Sequence, residues 1–381
     1  MNDDDIDSQN DTWDSVLDED RRKAERRAEP PPQISPEEFK RWRSPRTVSG
    51  GPVPLDNPLW HWLVRTGFDA WNANRHFEGP APFDEGPMWC FDRFGQTVTS
   101  LPDGRRIHIG GEHEDHYDPD FFIYNDVVVI DPEGRISILG YALDVFPPTD
   151  FHSATLVGNE LYLVGGLGYP DRRQTEVTPV FVLDLEQMSF RPLVTEGEPP
   201  GWIYKHAAEP SDDGHSIVVS GGEVWRGPEL STQENVDRWS LDTDSGRWTR
   251  LTCLEWQRWT LLPIDRNPNR LWETRQALWE RDHGWVGMGS HWPHAEAPDL
   301  EALSELYRID DEAAAVTQGA RYNEYIAIVD GTRVRFTEER WEVKVIVEGR
   351  LAPDRLDALQ RRTLAALDRI NGSGWEMEAV P

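Results

Sequence analysis

Cysteine is nearly absent. Cys90 and Cys253 are the only two in 381 residues, and they stand far apart in the chain. Such a pair makes neither a zinc-site spacing nor a disulfide framework, as expected for a reducing cytoplasm. Basic residues are also scarce, with 39 Lys plus Arg against 69 Asp plus Glu and a formal charge of −30. That balance disfavours binding to nucleic-acid phosphates and to anionic lipid headgroups, and it favours a basic protein partner. Long hydrophobic runs are missing, so no stretch of about 18 apolar residues reads as a membrane span. The start, Met1-Asn2-Asp3-Asp4-Asp5, has neither the basic nor the apolar region of a signal peptide. The expectation is a soluble, cytoplasmic protein.

What is present argues against wholesale disorder: 38% hydrophobic residues and 18 Trp. The 30 Gly and 29 Pro predict many turns and short elements. Residues 1–50 read as a disordered acidic tail, with nine acids before Arg21, a basic knot to Arg27, and Pro30-Pro31-Pro32. Residues 51–87 read as a docking helix and linker. There Trp60, Leu63, Val64, Phe68 and Trp71 fall at helical spacing and predict one amphipathic helix over 56–77.

From about residue 88 the pattern becomes one of strands, with a long internal period. Three short apolar runs end in glycine pairs, at Gly110-Gly111, Gly165-Gly166 and Gly221-Gly222, spaced by 55 and 56 residues. Each pair is followed by a loop and then a second strand closing on Asp131, Asp184 or Asp242. A third strand follows each time, through Ile136, Phe190 and Trp248. The best copy runs from Pro147-Pro148 through His152-Ser153-Ala154, Gly158 and Leu161-Tyr162-Leu163-Val164 to Gly165-Gly166.

This order of proline, His-Ser-Ala, Gly, apolar run and Gly-Gly resembles the kelch repeat, the blade unit of one class of β-propeller. The usual Arg after the proline is missing, and the third copy is looser although it carries the late Trp248. The resemblance covers residues 88–256, under half of the chain. It implies four-stranded antiparallel blades, with alternating apolar residues filling the space between them. Three blades do not close a ring of the usual four to eight. The fold class expected is therefore mainly β: kelch-type blades, in a partial or degenerate ring, with an N-terminal helix and a C-terminal α+β unit. That unit, residues 257–381, shows strands at 324–329, 332–336 and 341–347, an Asp330-Gly331 turn, a helix over 353–370 and an edge strand from Trp375. Degenerate blades within 257–381 are the rival reading.

The loops after the glycine pairs are long, and loops on a rigid scaffold are where recognition sits. The candidate binding residues are Glu112, His113, Asp115, His116, Tyr117 and Asp118 in the first loop, Tyr169, Arg172 and Arg173 in the second, and Trp225 and Arg226 in the third. Tyr, Trp and Arg are the side chains that dominate protein interfaces. His152 and His206 occupy the repeat's own histidine position and are expected to form hydrogen bonds within or between blades. The Asp residues closing each second strand are expected to be structural. His283, His291 and His294, with nearby tryptophans, are expected to pack a domain junction.

The function expected is a protein–protein interaction module without catalytic activity, cofactor or metal, its acidic surface selecting a basic partner. An antitoxin or immunity-type protein is one version of this. The alternative is an Fe- or Zn-dependent enzyme using Glu112, His113, His116 and Asp118, since imidazole and carboxylate are ligands for both metals. Galactose oxidase also has kelch blades, but its Tyr–Cys crosslink and copper site are not expected in a chain with these two cysteines.

Overall fold

The computed structural model describes residues 25–80, 86–113, 121–228, 232–283, 299–300, 303, 306–308 and 316–379. The protein is mainly β, with several antiparallel sheets and few helices. Among the described residues no helix is long and apolar enough to cross a membrane. The chain divides into two compact units, Met1–Cys253 and Leu254–Pro381.

In the first unit the N-terminal region departs from the expected tail. Ser35 and Glu38 form a reciprocal capping box at the start of helix Pro36–Trp42, and Phe39 is buried. The Ser-Pro-Glu-Glu signal that starts this helix lies within a charged run, and charge alone had suggested solvated chain. The single helix expected over 56–77 is two helices, Pro58–Thr66 and Ala70–His76. Gly67 adopts φ 59 and ends the first, while Asp69 caps the second. The buried face includes Leu59, Trp60, Trp62 and Leu63, whereas Trp71 is 56% exposed.

Three antiparallel sheets follow, one per sequence repeat. The first contains Thr97–Ser100, Arg106–Ile109, Val127–Ile130 and Ile136–Gly140, with Val53–Pro54 added beside the last. The second contains Ser153–Val157, Glu160–Val164, Val180–Asp184 and Ser189–Pro192. The third contains Ala207–Pro210, Ser216–Ser220, Trp239–Asp242 and Arg247–Arg250, with Glu196–Gly197 pairing in parallel on Arg247–Trp248.

Strand alternation sends successive side chains to opposite faces, so each sheet has two surfaces to bury. Ile107, Ile109 and Val127 of the first sheet pack on Leu161, Leu163 and Leu183 of the second. Tyr162, Val164 and Val182, from the second sheet's other face, pack on Ile217, Val219 and Leu241 of the third. The first sheet's remaining face, with Val128 and Ile138, is covered by Leu59, Trp60 and Trp89. The third sheet's remaining face is different. Its strand registers put Glu209, Val218, Ser240 and Thr249 in one row and Ser216 with Asp242 in another. That surface is polar apart from Val218 and the small Ala207, and offers little for another sheet to bury against. Among the described residues the three sheets do not form a closed ring.

The second unit has one six-stranded antiparallel sheet, in the order Thr317–Gln318, Glu324–Val329, Thr332–Glu338, Val343–Val347, Gln257–Pro263 and Trp375–Ala379. Helices Arg270–Asp282 and Pro353–Asn371 accompany it, and Leu271, Leu359 and Leu367 share its core with Trp259, Phe336 and Val345. Asp330 and Gly331, at φ 47 and 78, make the hairpin turn read from the sequence. The strand Gln257–Pro263 and the helix Arg270–Asp282 were not foreseen.

Candidate functional site

The glycine pairs set the loops in place by letting consecutive sheets touch through backbone. Gly111 donates its N–H to the Thr149 carbonyl, and Gly166 donates to Ile203, both at 2.9 Å. A Cβ on Gly110 would stand 2.4 Å from the Thr149 oxygen, and one on Gly165 would stand 2.2 Å from that of Ile203. Side chains repeat the connection. His152 Nε2 lies 2.9 Å from Thr97 Oγ1, and His206 Nε2 lies 2.9 Å from Ser153 Oγ. The repeat histidines thus bond between sheets. Asp131, Asp184 and Asp242 accept turn amides from Glu133, Glu186 and Ser245, a structural role.

A third connection is visible only in the structure. Lys205 donates its N–H to Phe151, and Phe151 donates to Gly95, each at 2.8 Å. These equivalent positions all take left-handed backbone, with φ 54, 51 and 63. They hold the preceding residues, Phe94, Asp150 and Tyr204, at matching places in the three repeats.

Asp150 is the centre of the candidate site. It is fully buried, and its Oδ1 accepts the Gly168 N–H at 2.6 Å. Oδ2 meets no N–H or hydroxyl donor. The Glu112 carboxyl lies in hydrogen-bonding range of Asp150, and burial raises the Asp150 pKa. The Arg173 guanidinium lies close enough to counter the burial in part. It is held by the Leu167 and Gly168 carbonyls at 3.1 and 2.8 Å and stands 6.0 Å from the Trp225 ring.

Around this centre the Tyr169 hydroxyl accepts the Ile123 N–H at 2.9 Å. The Tyr204 hydroxyl donates to Glu223 at 2.8 Å, and Lys205 Nζ stands 5.1 Å from the Phe151 ring. Arg226 Nε donates to Gln233 at 3.0 Å. The structure therefore gathers Glu112, Tyr169, Arg173 and Trp225, from three loops, around a residue that sequence reasoning had left unassigned. Arg172 belongs to the short turn Pro170–Arg172 beside them.

His113 is not part of that surface. It follows Glu112 on strand Glu112–His113, so the two side chains leave the strand on opposite sides. His113 is buried, with Nδ1 2.9 Å from Cys90 Sγ. Burial pushes the Cys90 thiol up to about 11, leaving it protonated near neutral pH. Tyr124, also buried, has its hydroxyl 3.6 Å from Cys90 Sγ and its ring 3.4 Å from the Arg93 guanidinium, which pairs with Asp126. Glu112 and His113 thus do not converge as the metal-enzyme reading requires. Among the described residues no group of three His, Cys, Asp or Glu side chains is placed to hold a metal. Asp115, His116, Tyr117 and Asp118 lie outside the described residues, as do His291 and His294. His283 Nδ1 lies 2.9 Å from the Trp279 carbonyl of its own helix.

Asp150, Phe151, Tyr204 and Lys205 were missed as site residues. A signal existed: at positions 94, 150 and 204 the repeat is regular while the residue changes from Phe to Asp to Tyr. Residues that recur in every repeat hold it together, and this varying position lies where the loops meet.

No family model matches the chain, and no curated protein does. Solved structures similar to it include the following two. The structure of YjhT has 14% sequence identity and a TM-score of 0.33, with 70% of each chain covered. A fungal alcohol oxidase of the AA5 family, in complex with copper, has 14% identity and a TM-score of 0.28, covering 44% of this chain and 45% of its own. Likeness at this level carries no argument about mechanism. It does correct one expectation: with an enzyme among the similar structures, nothing shows that this protein is not an enzyme.

Proposed function

We propose that residues 88–256 are kelch-type β-propeller blades in a partial stack, and that their loop-bearing face recognises a protein partner. One observation carries the reading. Three repeats place Glu112, Tyr169, Arg173 and Trp225 around the buried Asp150 carboxyl on a hydrogen-bonded scaffold. Arg, Trp and Tyr on a fixed frame are the residue types that anchor protein interfaces. The formal charge of −30 favours a partner with a basic surface, because complementary charge accelerates encounter and suppresses wrong pairings.

The test is affinity capture with the full chain at low and high salt, run beside an Arg173→Ala/Trp225→Ala variant. The expected result is a basic protein retained by the wild type, released as salt screens the charge, and absent with the variant. Retention of the same protein by the variant would remove this face from the proposal.

A further inference from the structure

The second repeat contains a cavity of about 220 Å³ between Pro147–Thr149 and the loop that follows Gly165-Gly166. Its apolar lining includes Phe146, Leu163, Phe181 and Trp202, with Pro148 and Pro179 beside them. An apolar cavity of about 150 Å³ accepts benzene, and drug-sized ligands occupy roughly 300 Å³ or more. The space therefore suits one aromatic ring or a fused pair.

Two polar side chains of some length line the same cavity, Arg172 and Gln174, and both are exposed. Neither has a side-chain hydrogen bond or ion pair among the described residues. The adjacent Arg173 is held by two carbonyls, and Arg191 and Arg105 each have a carboxylate partner. Among the described residues lining the cavity, Arg172 is the one that is charged.

The walls are fixed in advance. Trp202 Nε1 donates to the Leu167 carbonyl at 3.0 Å, and Gly166 is tied to Ile203 at 2.9 Å. The Pro170–Arg172 turn is closed by the Arg173 N–H on the Pro170 carbonyl at 3.3 Å. A pocket that needs no reordering keeps more of its contact energy for the ligand.

We propose that this cavity binds a small aromatic carboxylate. The ring would occupy the Phe146–Phe181–Trp202 space, and the carboxylate would take the Arg172 guanidinium and the Gln174 amide. A guanidinium matches the planar, singly charged carboxylate through two parallel hydrogen bonds. The single positive charge matches a carboxylate monoanion and leaves a phosphate dianion only half compensated. This site is a small-molecule site, and it stands whether or not the loop-bearing face binds a protein.

The test is calorimetric titration of the full chain with phenylacetate and indole-3-acetate, beside 2-phenylethanol and phenethylamine as the neutral and cationic counterparts. The acids should bind one per chain, the alcohol about tenfold more weakly or worse, and the amine not at all. Arg172→Ala should weaken the acids by about tenfold to a hundredfold while leaving the alcohol unchanged. Val177→Trp, at an exposed lining position, should block acid and alcohol alike. Equal binding of acid and alcohol, unchanged acid binding by Arg172→Ala, or no binding of either acid by folded wild-type protein would overturn the proposal.

Discussion

Three buried histidines make the first unit sensitive to acid. Burial is the main cause each time, pushing His108 to about 4, His152 to about 3 and His206 to about 4, from an ordinary 6.5. In the unfolded chain these rings take up protons below about pH 6.5, whereas the folded protein resists until about pH 4 or 3. Stability is thus fully present above the unfolded value and falls as pH drops through this window. Each histidine adds about 1.4 kcal/mol per pH unit to the slope. Urea midpoints measured from neutral to mildly acid pH should fall steadily in the wild type and less steeply in His152→Gln, although that variant starts lower. Identical slopes would mean that His152 is not desolvated. The repeat position of His152 and His206 was legible in the sequence, and so was their bonding role. Their partners were not: Thr97 and Ser153 lie 55 and 53 residues upstream, in the preceding sheet. Separation in sequence also hid the burial of His113, whose partner Cys90 is 23 residues away.

At the scale of elements, local signals were read well and interruptions poorly. Apolar alternation and glycine pairs located three strands in each repeat, because both are short-range consequences of a pleated, stacked sheet; the outer strands Thr97–Ser100 and Ala207–Pro210 carry neither signal. The helical period over residues 60–71 was also real. It crosses Gly67, however, and a left-handed residue there ends one helix and frees Trp71 from the core. The glycine pairs themselves are not equivalent. A Cβ at Gly165 meets the Ile203 carbonyl at 2.2 Å, whereas one at Gly221 meets nothing within 4 Å, although both residues have positive φ. Gly221→Ala should therefore cost only the left-handed backbone penalty, about 1–2 kcal/mol. Gly165→Ala adds a backbone collision between sheets and should cost roughly 3 kcal/mol or more. Chemical denaturation of the two variants checks the order, and equal losses would show that the sheets can move apart without penalty.

At the scale of the molecule, each unit has its own core, and the repeat unit is a stack with unlike ends. Helices cover the first sheet, and the last presents Glu209, Ser216, Ser240, Asp242 and Thr249. In such an array each element is stabilised mainly by its neighbours, so an element buried on one face opens before one buried on both. Amide hydrogen exchange should be faster across Ser216–Ser220 than across Glu160–Val164, and the reverse order would contradict a stack that ends at the third sheet. The unlike ends also govern how such a chain can lengthen. A duplicated segment of about one period, 55 or 56 residues, finds apolar partners on both sides only when spliced between existing repeats. Appended after the third, it would meet hydroxyls and carboxylates. An added repeat is therefore expected to be accommodated between existing repeats and not beyond the third.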